Sequence, residues 1–156
     1  AGDQLNSDIA EYIKEHHGLI IGEHTAERIK IELGTAQKVD DPQTMEVRGR
    51  DVASGMPKQI ETNENEIADA LHDTLEQIVR ASVAVLETVP PELASDIIDR
   101  GIMLTGGTAM LHGIDKLFSD RLKVPVVVSQ DPLDNVAKGA GELLERMQSD
   151  SGKNRK

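Results

Sequence analysis

Two places in the sequence bring together residue types able to grip a ligand. Gly106 and Gly107 follow the apolar run Ile102 to Leu104 and precede a stretch with helical spacing. They therefore stand at the C-terminal end of a strand, where α/β folds place their ligands. Glycines there let the backbone approach a flat ring or a phosphate, and the start of a helix offers unpaired N–H groups. A tight turn with nothing bound satisfies the same pattern. Neither a Walker Gly-Lys-Ser/Thr nor a GxGxxG run is present to decide between the two. The second place is the pair Glu27 and Lys30, three residues apart in a helical stretch and so on one face. An acid and an amine so spaced can hold a polar ligand, and they can equally form a solvated ion pair worth roughly a few tenths of a kcal/mol.

Other chemistries find no footing. His16, His17, His24, His72 and His112 show no HExxH or related ligand spacing, and the chain has no Cys to complete a metal set, so they are expected at the surface. The acidic run from Glu61 to Glu66 is expected to be a solvated helix start favoured by the helix dipole. Ser54 and Ser82 have no neighbouring base, which leaves nucleophilic catalysis without a triad. No catalytic and no metal-ligating residue is predicted.

The elements that must position these residues follow from periodicity. Leu5, Ile9, Tyr12 and Ile13 fall on one face of a helix that Gly2 and the N-cap Asp3 open and Gly18 stops. A second helix from about Thr25 carries Ala26, Ile29 and Leu33, with Gly34 expected as a left-handed cap. Between Thr44 and Thr62 the period changes to two, and Gly55 and Pro57 mark a hairpin turn. Asn63 and Glu66 form a variant capping box at the head of a long helix bearing Ile67, Leu71, Leu75, Ile78, Val79, Ser82 and Leu86. Pro90 and Pro91 end it and start a short one. Then come strand Ile102 to Thr105, the glycine turn, a helix with Met110, Leu111, Ile114, Leu117 and Phe118, and a second apolar run to Val128. That order is a βαβ unit, which demands parallel strands. Two such strands make a marginal sheet, so further strands are expected ahead of Ala1. A last helix with Val136, Ala140, Leu143, Leu144 and Met147 and a polar tail complete the reading.

Composition narrows the partners. With 28 acidic against 17 basic residues the formal net charge is -11, which repels a phosphate backbone. Nucleic acid and anionic lipid are therefore poor partners, and membrane contact would need another segment. The absence of Cys fits a reducing cytoplasm. Aromatic residues are limited to Tyr12 and Phe118, so the core must be built from aliphatic side chains. The chain opens at Ala1 without a Met, directly inside a helix-start signal, as a cut piece would.

The stretches GIMLTGGTAMLHG at 101–113, VPVVV at 124–128, DPL at 131–133 and VAKGAG at 136–141 resemble the bacterial actin homologues of the MreB family, in order and separation. TAERIK at 25–30, EVRGR at 46–50 and PPELASD at 90–96 are similar to the same family. The resemblance covers all but the tail. It implies an α/β, actin/Hsp70-type (ribonuclease H-like) ATPase fold, of which this chain would be lobe II with an incomplete inner-subdomain sheet. Residues 1–97 would be the outer subdomain, 98–130 part of the inner one, 131–148 a helix returning to lobe I, and 149–156 a disordered tail. Glu27, Arg28, Ile29 and Lys30 would flank the ribose and adenine, with Gly106, Gly107, Thr108 and Ala109 on the other side of the adenosine. Thr108 stands where the family usually has Gly, and Lys138 where Arg is common.

The implied parent is a cytoplasmic, rod-shape-determining filament protein that binds ATP or ADP with Mg2+, associates with itself and organises cell-wall synthesis proteins. The phosphate loops, metal-positioning acids and membrane-contacting parts of the family would lie in an N-terminal lobe upstream. This chain alone is then expected to be inactive, since phosphoryl transfer needs charge stabilisation that adenosine contacts do not supply. Contacts worth on the order of 4 kcal/mol would hold nucleotide only at about millimolar concentration. A sugar or acid kinase of the same superfamily and a short adaptor that caps filaments are the alternatives.

Overall fold

The computed structural model describes residues 2–129, so the expected return helix at 131–148 and tail at 149–156 lie outside the described residues. The described residues divide into two compact units, Gly2–Thr74 and 75–129, with the division inside one long helix.

In the first unit α1 (Gly2–His17) buries Leu5, Ile9 and Ile13 on one face and packs against α2 (Glu23–Leu33), which returns Ala26, Ile29 and Leu33. The apolar spacing of three and four residues dictates this face. Asp3 lies within the first turn of α1 instead of capping it, because the helix already begins at Gly2, and its carboxylate favours the positive helix end. Gly34 is likewise not the left-handed cap expected. Its φ of -62° and ψ of 120° are extended, and the helix closes through its N–H donating to the Lys30 carbonyl at 2.8 Å.

Three antiparallel strands follow in the order β1-β2-β3: β1 (Leu19–Ile20), β2 (Thr44–Asp51) and β3 (Pro57–Asn63). Val47 opposite Ile60 and Met45 opposite Thr62 face inward, while Glu46 stands opposite Glu61 on the exposed face. The two-residue β1, which pairs Leu19 with Asp51, escapes any periodicity test. At the hairpin turn the Asp51 carboxylate accepts from the Ser54 N–H at 2.9 Å, the Ser54 hydroxyl at 2.8 Å and the Lys58 ammonium at 3.3 Å. These donors, the Ser54 N–H foremost, hold its pKa below the usual carboxylate value.

The first turns of α3 (Glu64–Leu86) are tied to their surroundings by side chains. Asn63 Oδ1 accepts from the Glu66 N–H at 3.0 Å, which is the forward half of the expected capping box. The reverse half is absent because Glu66 spends its carboxylate elsewhere: Oε1 lies 2.8 Å from His17 Nε2, and Oε2 accepts from Thr62 Oγ1 at 2.9 Å. Asn65 bridges both backbone groups of Val39, accepting at 2.8 Å and donating at 3.1 Å. Gln4 and Thr74 both donate to Asp8. Tyr12 stacks on His16 with ring centroids 3.9 Å apart, and burial, then the charges of Glu66 and Asp69, raises its phenol pKa.

In the second unit the remainder of α3 buries Leu75, Ile78 and Val79, and α4 (Pro91–Arg100) starts with Pro at its first turn. β4 (Ile102–Leu104) pairs in parallel with β5 (Val126–Val128), Ile102 opposite Val126 and Leu104 opposite Val128. The intervening helix is shorter than its apolar spacing suggests. A 3-10 turn spans Thr108–Met110, Gly113 breaks the chain at φ 75°, and α5 (Ile114–Leu122) follows, burying Ile114 and Phe118. Met110 accordingly lies exposed instead of in the core. Arg121 is ion-paired with Glu76 of α3. No helix among the described residues is long and apolar enough to cross a membrane.

Gly101 governs how β4 enters the sheet. Its φ of 80° with ψ of -172° is a region reserved for glycine, and a Cβ there would lie 2.6 Å from the Pro125 carbonyl oxygen. Gly101→Ala is expected to cost about 1–3 kcal/mol from the backbone conformation alone, with more from that overlap, read as a lowered urea midpoint.

Asp51 gives a pH dependence. Because its folded pKa lies below the unfolded one, the stabilisation is present above the unfolded value of about 3.9 and is lost as pH falls through the folded value. Asp51→Asn is expected to be less stable than the unmodified protein at neutral pH, with the two converging in strong acid. Denaturation curves at several pH values measure this.

Candidate nucleoside-binding residues

The α2 residues singled out by sequence are split by the helix itself. Ile29 is fully buried, and Glu27 and Arg28 are exposed. Lys30 is only 7% exposed, which is unusual for a lysine, and its ammonium has no hydrogen-bond or ion-pair partner among the described residues. The solvated Glu27–Lys30 pair that the spacing allowed is therefore not formed. A buried stem bearing such a cation is poised for an acceptor that the described residues do not provide.

The turn residues belong to the other unit. Gly106 has a φ of 83°, which demands glycine, and a Cβ placed on it would meet nothing within 4 Å. Gly107 has ordinary right-handed helical dihedrals, φ -64° and ψ -36°, so the backbone does not require a glycine there. Thr108 and Ala109 are buried, with the Ala109 N–H donating to the Gly106 carbonyl at 3.2 Å and the Met110 N–H to that of Gly107 at 3.2 Å. The Thr108 hydroxyl is buried without a hydrogen-bond partner among the described residues. An unsatisfied buried hydroxyl costs about 1–3 kcal/mol, so the turn carries a polar atom that folding alone does not explain.

The ladder below sets this turn in place. The Ile102 N–H donates to Pro125 O at 2.8 Å and the Ser129 N–H to Leu104 O at 2.9 Å, fixing the strand from which the turn emerges.

His16, His24, His72 and His112 are exposed and His17 is half-buried against Glu66; no group of three His, Asp or Glu among the described residues could hold a metal. Ser54 is engaged by Asp51, and buried Ser82 donates to the Ile78 carbonyl at 2.8 Å. A cleft of about 360 Å³ in the first unit is lined by Ala36, Gln37, Lys38, Ala68, Asp69 and His72, with Lys38 and Asp69 paired at 3.3 Å. It contains none of the nucleoside-binding residues picked out by sequence.

Comparison with known proteins places these features in context. The MreB/Mbl protein family matches residues 1–152. The chain is 46% identical over 147 residues to the cell shape-determining protein Mbl of Bacillus subtilis, covering 94% of this chain and 44% of that protein. Against the cell shape-determining protein MreB of Escherichia coli K12 it is 46% identical over 151 residues, covering 97% and 44%. It thus spans less than half the length of these relatives. Among solved structures, MreB 5 of Spiroplasma citri bound to AMPPNP superposes with a TM-score of 0.80 at 33% identity, covering all of this chain and 46% of that one. The same protein has also been solved with ADP. The MamK double helical filament, with a TM-score of 0.65, 19% identity and coverage of 93% and 44%, shares the fold. The mixed helix and sheet architecture is part of an actin-like fold, and this chain belongs to the MreB/Mbl family.

Proposed function

We propose that this chain contributes the adenosine-gripping part of an actin-like cytoskeletal protein that assembles into filaments and determines bacterial cell shape. The observation that carries this is the Gly106–Gly107 turn, where a glycine-only conformation, a second glycine without backbone need and an orphaned Thr108 hydroxyl coincide in a family whose relatives bind nucleotide. Glycines at the end of a buried strand suit a flat base, which needs main chain at van der Waals distance.

In this reading Glu27, Arg28, Ile29 and Lys30 hold the ribose and adenine from α2, and Gly106, Gly107, Thr108 and Ala109 hold the nucleoside from the turn. Lys30 supplies a positive donor whose stem is already ordered by burial, so little side-chain entropy is lost on binding. The Thr108 hydroxyl donates to or accepts from the ligand. These residues bind and orient; the bound ATP with its Mg2+ brings the phosphoryl group whose transfer accompanies assembly. Alone, the adenosine contacts hold nucleotide weakly, and these residues supply no charge stabilisation for phosphoryl transfer.

The filament reading rests on the relatives, whose names speak of cell shape and, for MamK, of a double helical filament. Self-association through heterologous contacts gives open filaments because such contacts do not close. The cytoplasm, with attachment to the membrane through other parts of the protein, and cell-wall synthesis proteins as partners complete the proposal.

Sedimentation of the full-length protein with and without ATP tests assembly: a nucleotide-dependent pellet is expected, and a monomer under all conditions would sink the filament reading. Lys30→Ala is expected to weaken ATP and ADP binding at least about tenfold, or roughly 1.4 kcal/mol, with an unchanged far-ultraviolet circular dichroism spectrum. Isothermal titration reads the affinity, and an unchanged dissociation constant would remove Lys30 from the site.

A further inference from the structure

Met110 shares its helical spacing with Leu111, Ile114, Leu117 and Phe118, a pattern that assigns it to the core, yet it is 57% exposed. Thr108, Ala109 and Leu111 around it are buried. The 3-10 turn accounts for the difference. Three residues complete each turn of such a helix, so side chains at i and i+3 lie one above the other. The Leu111 N–H donates to the Thr108 carbonyl and the Met110 N–H to that of Gly107, both at 3.2 Å. Leu111 therefore stands over Thr108 in a column that faces the core. Met110 stands over Gly107, whose dihedrals are also helical, in a column that faces outward.

The outward column carries a single side chain, because its lower level is a glycine. Beside it, a Cβ placed on Gly106 would meet nothing within 4 Å. The surface of the turn is thus a notch, with the bare main chain of Gly106 and Gly107 as its floor and the Met110 thioether as one wall. An exposed apolar residue is ordinary on a protein surface. One raised at the rim of a bare glycine floor is in position to cover a flat ring that lies on that floor.

We propose that Met110 is a further nucleoside-binding residue, its side chain packing over the purine ring that rests on Gly106 and Gly107. This inference rests on the nucleotide reading of the turn given above. A thioether suits the task, since it is polarisable and makes favourable contacts with aromatic rings at about 5 Å. Its three rotatable bonds let it fit the ring without moving the turn. The contact has neither charge nor hydrogen bond, so it acts on the base and leaves the phosphates to other residues. Binding also removes from water an apolar side chain that the free turn leaves exposed.

The test combines three measurements on the full-length protein: the thermal midpoint without ligand, the dissociation constants for ADP and ATP by isothermal titration, and iodide quenching of bound etheno-ADP. Met110→Ala should leave the midpoint unchanged, because the side chain is exposed. It should weaken ADP and ATP about two- to tenfold, the range a sulfur–aromatic contact supports. The bound etheno base should become more open to iodide in the same variant. Met110→Leu, which keeps an apolar side chain of similar volume, should lose less affinity than Met110→Ala. An unchanged dissociation constant or unchanged quenching in Met110→Ala overturns the proposal. A lowered midpoint with unchanged affinity does so too, and assigns Met110 to packing against another part of the protein. An equal loss in both variants likewise overturns it. Failure of the unmodified protein to bind nucleotide is a distinct result that removes the site reading and this inference together.

Discussion

The parallel ladder between β4 and β5 is the constraint from which the glycine turn derives its position. Each strand contributes only three residues, yet β4 is buried along its whole length, so its backbone groups must find partners within the protein. They do so through Ile102 with Pro125 and Leu104 with Ser129, at both ends of the pairing. Gly101 makes the first of these contacts possible, because any side chain would collide with the carbonyl that its neighbour needs. The turn that follows is anchored on its strand side by the ladder and on its far side by the 3-10 hydrogen bonds of Ala109 and Met110.

The first unit is held differently. Its aliphatic core joins α1, α2 and the small sheet, while polar side chains make the connections between elements that have no ladder in common. Glu66 links the end of α1 through His17 to the end of β3 through Thr62, and its own N–H is capped by Asn63. Asn65 plays the part of a short strand for Val39, satisfying both backbone groups of a segment with no regular partner. Such bonds are individually modest, about 1 kcal/mol each; those of Glu66 tie α1 to β3, and those of Asn65 hold the loop between α2 and β2.

Much of this was legible in the sequence where a strong pattern had one physical cause. The faces of α1, α2 and α3, the hairpin with Gly55 at its turn, and the parallel pairing of Ile102 to Leu104 with Val126 to Val128 follow from apolar periodicity alone. What periodicity missed has identifiable reasons. β1 is too short to show a period, and the segment after Gly107 keeps helical spacing while Gly113, in a left-handed conformation, divides it into two pieces. Gly34 was assigned a left-handed role on residue type, yet the chain leaves α2 in an extended direction that any residue could adopt. For the site, residue type and family resemblance singled out both groups of candidates. Neither could reveal that Lys30 is buried without a partner among the described residues, or that Asn6 and Thr108 each carry a buried oxygen unsatisfied among them, because those facts arise from packing.

The near absence of aromatic side chains has an optical consequence. Tyr12, stacked on His16 in the first unit, is the only tyrosine, there is no tryptophan, and the single phenylalanine, Phe118, is buried in the second. Ultraviolet emission from this chain therefore reports almost entirely on one ring. Melting of the second unit passes unseen by such a probe, and a spectroscopist following the chain must watch backbone ellipticity or introduce a label there.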